Sequence, residues 1–528
     1  MQNIATVIIL LAVVTALAEV TDKIRVPYPI LLVLAGIGIG LVPGLPVLSL
    51  DPDVAFLVFL PPVLYAAAWN TSWPDFKAAK RPITMLAIGC VIFTTCAVAW
   101  VAHTFIPGFG WAEGFVLGAI ISPPDAVAAT AATKGLAIPK RVVTILEGES
   151  LVNDATGLIA YRYAVVAVVT GAFSLWEAGF QFLLVAAGGI GLGLALGWLF
   201  KWIHNITPSN PTTDTVLTFL APFVAYLLAE AVHVSGVLSV VTAGLMLGRS
   251  SSEMFSQQTR MQANSSWNTV LFILNGIIFI LIGLQLPEII RSMGDYAFWA
   301  WKYAVLISVA VIIGRIIWVY PSTYLPRILF RHIREQEPEP DVRLTTIIAW
   351  SGMRGVVSLA AALALPLVIG DGVAFPHRNL IIFLTFCVIF STLVLQGLTL
   401  RPMIKLFGLK PDDKDYEDEQ RARLKIAASV IEHIEENYAL ELSDAVLSQV
   451  KSKYEIRIER LRKDEPQRRM TEDQIREFHR IQQELLEKER RDMIRLRHDG
   501  KISDEILRKM EYELDLEETR LILERDLA

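Results

Sequence analysis

Three carboxylates fall within eight residues, in Glu147-Gly148-Glu149-Ser150-Leu151-Val152-Asn153-Asp154, and a fourth, Asp125, follows Pro123-Pro124. Both stretches lie inside apolar sequence. An ionised side chain at mid-bilayer costs about 2.5–3.5 kcal/mol even on lenient insertion scales, so each one calls for a partner or a function. Ser150 and Asp154 are four apart and share a helix face, whereas Glu149 is five from Asp154 and points elsewhere. Asp154 reads as a cation ligand that can hold a proton instead; the competing reading is a structural carboxylate paired to an arginine. Ser150, Asn153 and the broken segment around Asp125 add neutral oxygens suited to a hard cation. Asp125 has two compatible readings, a second ligand and a cap for backbone donors freed by the prolines. Glu149 is assigned to a structural ion pair with Arg354, and Glu147 to water near the membrane edge. Arg162, Glu230 and Arg315 complete the interior set. No partner can be read for them, and they stand as structural or gating residues.

Other chemistries find no residues. Cys90, Cys96 and Cys387 lie in apolar runs without CxxC spacing or neighbouring histidines, and read as small buried side chains. His103, His204, His233 and His377 fall near span ends or in loops and read as interfacial. There is no GxxxxGK[ST] phosphate loop, no TVGYG-like filter and no nucleophile–base set. ATP-driven transport, a potassium-type pore and an enzyme are thereby disfavoured, and no cofactor is expected.

The elements that must position the acids are membrane helices. Of 528 residues, 53 % are apolar and 19 % charged. Residues 1–410 hold 45 charged side chains, and the 118 residues after them hold 56. Lipid surrounds the first part and water the second. The first is read as a transmembrane domain, the second (411–528) as a cytoplasmic helical tail. The membrane part carries 24 basic and 21 acidic residues, no basic excess that would suit nucleic acid. Thirteen apolar segments can be placed, centred on 2–20, 27–42, 54–68, 82–105, 113–133, 142–170, 178–203, 213–232, 235–248, 265–287, 297–325, 343–369 and 379–405. The first lacks a basic lead and a cleavage site and reads as a retained span. With the N-terminus outside, fifteen Lys and Arg lie on inside loops and three on outside loops, a strong positive-inside bias that puts the tail in the cytoplasm.

Two segments cannot be continuous helices. The fifth is interrupted by Ser122-Pro123-Pro124-Asp125, where the prolines remove backbone donors. The twelfth carries Gly352-Met353-Arg354-Gly355 in its interior. They are seven crossings apart, so segments 1–6 and 8–13 run in opposite senses with the same element broken in each. That is the pattern of an inverted-repeat secondary transporter with its site at the broken helices.

Four stretches, Ser122-Pro123-Pro124-Asp125-Ala126-Val127, residues 147–154, FILNGIIFILIGLQL (residues 272–286) and Trp350-Ser351-Gly352-Met353-Arg354-Gly355, together resemble the NhaP-type sodium/proton exchangers, in order along residues 1 to about 410. The resemblance implies an all-α antiporter of about thirteen helices, two of them unwound and crossing, usually a homodimer. By the same resemblance the residue matching Asp154 binds Na+ or the proton, Asp125 assists, Ser150 contributes oxygen, Asn153-Asp154 goes with one-for-one electroneutral exchange, and Glu149 pairs with Arg354. Many relatives have threonine at Pro124 and a glutamate in the third span near Ala66, where this chain departs.

The expected activity is exchange of Na+, with Li+ or K+ as alternatives, for H+. A K+/H+ antiporter with the same site is the nearest rival, and a cation channel or membrane sensor a more distant one. The expected surroundings are lipid of a bacterial-type plasma membrane. In the tail, Pro466 and Asp499-Gly500 separate amphipathic helices, the second opened by a capping-box spacing, Thr471-x-x-Gln474. Ile481, Leu485, Leu486, Ile494 and Leu496 are candidates to face a partner helix, and a regulatory or dimer-contacting role is expected.

Overall fold

The computed structural model describes residues 2–24, 26–42, 55–133, 136, 138–171, 175–207, 210–293, 297–336, 339–369, 373–409, 413–438, 451–452, 454–455, 458, 472–499, 506, 510, 513–519 and 521. They fall into two compact units, Met1–Pro411 and Asp412–Ala528.

The first unit is almost entirely helical. In order come α1 (Gln2–Ile24), α2 (Tyr28–Gly40), α3 (a π-turn Ala55–Phe59 running into Leu60–Asn70), the short α4 (Trp73–Ala78) and α5 (Lys80–Phe105, with a π-segment Met85–Cys90). Then follow α6 (Trp111–Ile121), α7 (Ala126–Thr133), α8 (Lys140–Thr170), α9 (Leu175–Ile206), α10 (Pro211–Ala231), α11 (Gly236–Met254) and α12 (Gln257–Met293). The unit ends with α13 (Ala297–Leu329), α14 (Arg331–Gln336), α15 (Val342–Trp350), α16 (Val356–Leu363) and α17 (Arg378–Phe407), with a two-residue hairpin, Val368–Ile369 against Val373–Ala374, before α17. Every one of the thirteen apolar segments coincides with a helix or a broken pair. Among the described residues, six helices are long and apolar enough to cross a bilayer: α5, α10 and α17 over their full lengths, α9 from Trp176, α12 as far as Arg291 and α13 from Trp299. Their outer faces carry large apolar side chains such as Trp198, Leu183 and Ile317, as contact with hydrocarbon demands. The chain is a multi-pass membrane protein.

Both expected breaks are present. Helix α6 stops at Ile121, and α7 starts only after Asp125, whose carboxylate accepts the Val127 N–H at 2.8 Å. The prolines leave donors missing there, and this side chain closes the start of the next helix. Likewise α15 ends at Trp350 and α16 begins at Val356, with Ser351–Gly355 outside any helix.

The two largest buried apolar clusters among the described residues hold most of these elements. One joins α1, α2, α6, α12, α13, α16 and α17 through side chains such as Val33, Ile121, Phe279, Leu359 and Phe383. The other gathers Tyr65, Leu151, Ala225, Val240 and Trp267 from α3, α8, α10, α11 and α12. Helices α2 and α12 touch at Gly36 and Gly283, where a Cβ on either would run into the other's backbone. Small residues at such crossings let membrane helices approach backbone to backbone.

The second unit contains α18 (Asp413–Tyr438), α19 (Glu472–His498) and further helical residues at 513–519. Arg490 on α19 reaches both Asp515 and Glu518 at 2.8 Å. Ile481, Leu485 and Ile494 are exposed, whereas Met493 and Leu514 are buried. Pro466, Thr471 and Gly500, on which the expected breaks and cap depend, lie outside the described residues.

Candidate ion-exchange site

The two non-helical segments meet. Asp125 N–H donates to Met353 O at 2.7 Å, so the break in one span hydrogen-bonds directly to the break in the other. Arg354 fixes the crossing: its Nε donates to Ile121 O at 2.9 Å, its Nη2 to Ser122 O at 3.3 Å, and its Nη1 to Gly352 O. Those carbonyls include the C-terminal end of α6, the negative pole of a helix that has lost its next turn, and a guanidinium compensates it. Thr392 Oγ1 on α17 accepts the Arg354 N–H at 3.1 Å.

This changes one assignment. Glu149 pairs with Arg315, not with Arg354: Nη1 and Nη2 of Arg315 reach the two carboxylate oxygens at 2.6 and 2.8 Å. Both side chains are 0–1 % exposed. Arg315 also donates to Ile348 O from Nε (3.3 Å) and Nη2 (3.1 Å). The physical reason is geometric. The carbonyls of the unwound crossing use up Arg354, while the Glu149 face of α8 turns toward α13 and meets a bidentate fork there. A second pair, also without a partner in the sequence reading, is Arg162 with Glu230 at 2.7 Å, both half-exposed.

The other acids meet in one place. An open cavity of about 860 Å³ is lined by Asp125, Glu147, Ser150 and Asp154, with Asn275 on α12 and Ser358 on α16 adding polar atoms. Asp154 is 6 % exposed. Phe59, Leu60 and Leu64 of α3 close one wall, next to Ala66, and no acid of α3 reaches the cavity. Glu147, expected in water at the membrane edge, belongs to this cavity, nearer the start of α8. Asn153 does not line it. Its Nδ2 donates to Pro124 O at 2.7 Å, and its buried Oδ1 has no hydrogen-bond partner. The side chain ties α8 to the proline-broken segment. Gly355 has to be glycine, because a Cβ there would overlap the Asp125 carboxylate. Among the described residues, no three His, Cys, Asp or Glu side chains form a resident metal site.

Sequence reasoning missed Asn275 and Ser358, which carry no charge to betray them. It also missed Asp214, a buried acid in the first turn of α10. His204, expected at the interface, is buried against it with Nδ1 at 3.1 Å, and Thr259 donates to the same carboxylate at 3.3 Å.

The sequence profile described as "Sodium/hydrogen exchanger, transmembrane" matches residues 8–406. The chain belongs to the sodium/hydrogen exchanger family. It is 34 % identical over 448 residues to a protein of Bacillus pumilus (strain SAFR-032) named sodium, potassium, lithium and rubidium/H+ antiporter, covering 83 % of this chain and 66 % of that one. It is 31 % identical over 542 residues to an uncharacterized Na+/H+ exchanger of Escherichia coli (strain K12), covering 98 % of both. Its fold matches the sodium proton antiporter MjNhaP1 of Methanocaldococcus jannaschii with a TM-score of 0.59 and 19 % identity, over 75 % of this chain and 98 % of the other. The family is one of transporters.

Proposed function

We propose that this chain is a secondary active antiporter of the plasma membrane, exchanging Na+ for H+ one for one, with Li+ and K+ as further cargo, and serving pH and sodium homeostasis. The observation that carries the reading is that Asp125 and Asp154 line one cavity where the two broken helices cross. Asp154 takes the cation or the proton; Asp125 and Ser150 complete the oxygen set. Asn153 acts on the site through Pro124 O. The Glu149–Arg315 pair and the Arg354 clamp position the site without touching cargo. Arg162–Glu230, on two different helices, is the gating candidate.

Competition for one carboxylate is the physical basis of coupling. A bare, charged Asp154 is costly to carry across the hydrophobic barrier, whereas a protonated or cation-bound one is close to neutral. Only loaded states cross, so one ion must replace the other. Glu147 marks the route by which ions reach the site from the end of the bundle carrying Lys140. The N-terminus then lies outside and the tail in the cytoplasm, as the loop charges require. A homodimer in a bacterial inner membrane is the expected assembly.

The potassium reading gains support from the name of the Bacillus relative. The test is sodium-, lithium- and potassium-driven proton movement in everted vesicles. Asp154→Asn and Asp125→Asn should each abolish it while the protein remains folded in the membrane. Wild-type exchange in Asp154→Asn would overturn the assignment. Equal rates in all three cations would make the protein unselective, and potassium alone would make it a K+/H+ antiporter.

A further inference from the structure

A second cavity, of about 770 Å³, lies at the end of the bundle where α5, α8 and α15 begin and α13 ends, and nothing in the exchange mechanism uses it. Arg81 of α5, Arg141 of α8 and Arg327 of α13 all line it. Arginines from three helices thus line one space. Arg327 is buried and Arg141 exposed, so the charge runs from the interior to the mouth. Two carboxylates, Glu339 and Asp341, line it as well, but an oxygen of Asp341 is engaged in capping α15, accepting the Arg343 N–H at 2.8 Å. Ser322 and Thr323 add hydroxyls, and Ile145, Val319 and Ile348 give apolar walls.

We propose that this cavity binds a phosphate-bearing anion, either the phosphate of a small soluble molecule or the headgroup of an anionic lipid. Planar guanidinium forks match phosphate oxygens two at a time, which a cluster of lysines would not do. The apolar walls of Ile145, Val319 and Ile348 face the part of the ligand that is not phosphate. Occupancy ties four helix ends together. It also reaches the exchange machinery, because Ile145 lies one turn before Glu149 on α8, and Ile348 supplies the carbonyl that Arg315 holds. The inference rests on the membrane orientation above only for the compartment that supplies the ligand.

The test uses the purified full-length chain in phosphatidylcholine nanodiscs. Inorganic phosphate and ATP are titrated against thermal stability, with chloride at equal ionic strength as control. A parallel set of discs contains phosphatidylglycerol. Saturable stabilisation by phosphate or ATP but not chloride, weakened about tenfold or more by Arg141→Gln and by Arg327→Gln, assigns a soluble phosphate. Stabilisation by phosphatidylglycerol alone, with the same loss in the variants, assigns the lipid headgroup. No saturable stabilisation from either source overturns the proposal, and so does stabilisation that both variants retain or that chloride reproduces. Arg141 is exposed, so its variant reports even if Arg327→Gln fails to fold. The same titration on Asp154→Asn separates this site from the exchange reading: stabilisation persists there whether or not exchange is lost.

Discussion

Replacing Glu149 by Gln, Arg315 by Met, and both together measures how the core of the exchanger is held. In the single variant Glu149→Gln the guanidinium keeps its charge, at 0 % exposure, and loses its counter-charge and one of two short bonds. Breaking a buried pair from one side costs about 3–5 kcal/mol. In Arg315→Met the carboxylate either stays charged and unpaired or takes up a proton. The second route costs an ordinary glutamate about 3.7 kcal/mol at pH 7, which sets a ceiling on that part of the loss. Ile348 O also loses both its guanidinium donors, adding roughly 1–3 kcal/mol for a buried carbonyl, so Arg315→Met is the more damaging single change. The double variant removes both charges and leaves only the carbonyl and the altered packing, roughly 1–3 kcal/mol. The cycle should therefore show a coupling of at least about 3 kcal/mol. Thermal unfolding of the detergent-solubilised chain, followed by loss of the monodisperse peak, reads it. By the usual scaling of unfolding entropy with chain length, each single variant melts roughly 4 °C lower, and the double recovers most of that. If the two single losses simply add in the double variant, within about 0.5 kcal/mol, the pair does not hold the helices and the argument fails.

Gly355→Ala should abolish cation-driven proton movement while leaving the helical content intact, because the new Cβ overlaps the Asp125 carboxylate; unchanged exchange would mean that Asp125 is not where the crossing puts it. Asn153→Ala should lower stability by about 1–3 kcal/mol through the bereaved Pro124 carbonyl, whereas Asn153→Gln restores little, since its amide sits one methylene too far out; a stability loss absent in both would show that the tie to the broken segment is idle. Outside the membrane, the Lys140 ammonium at 2.8 Å holds the Asp75 carboxyl below its usual range. Its stabilisation is present above the ordinary aspartate pKa and fades as pH falls through the lower folded value. Asp75→Asn should thus cost little at pH 7, the pair being exposed, and nothing in strong acid; a growing penalty on acidification would reverse the sign and refute the pairing.

Local chemistry was enough to read the helices of this membrane unit, because their signals are local. Apolar length marks spans, adjacent prolines must interrupt a helix, and glycines flanking an arginine mark another interruption. The four-residue spacing of Ser150 and Asp154 places both on one face, and both line the cavity. Partner choice was not legible in the same way. Glu149 meets Arg315, 166 residues away in sequence, and which of two arginines it meets depends on the crossing of the broken spans. Periodicity says toward which side a group points, and only packing says what stands there. Arg354 is claimed by carbonyls that become orphans only when α6 unwinds against it. The same holds for Asn153 on Pro124 O and for His204 against Asp214, each a meeting of groups whose own neighbours in sequence give no hint of it. A buried polar group must find a partner or pay its desolvation, but the chain decides which partner only when its distant segments close on one another.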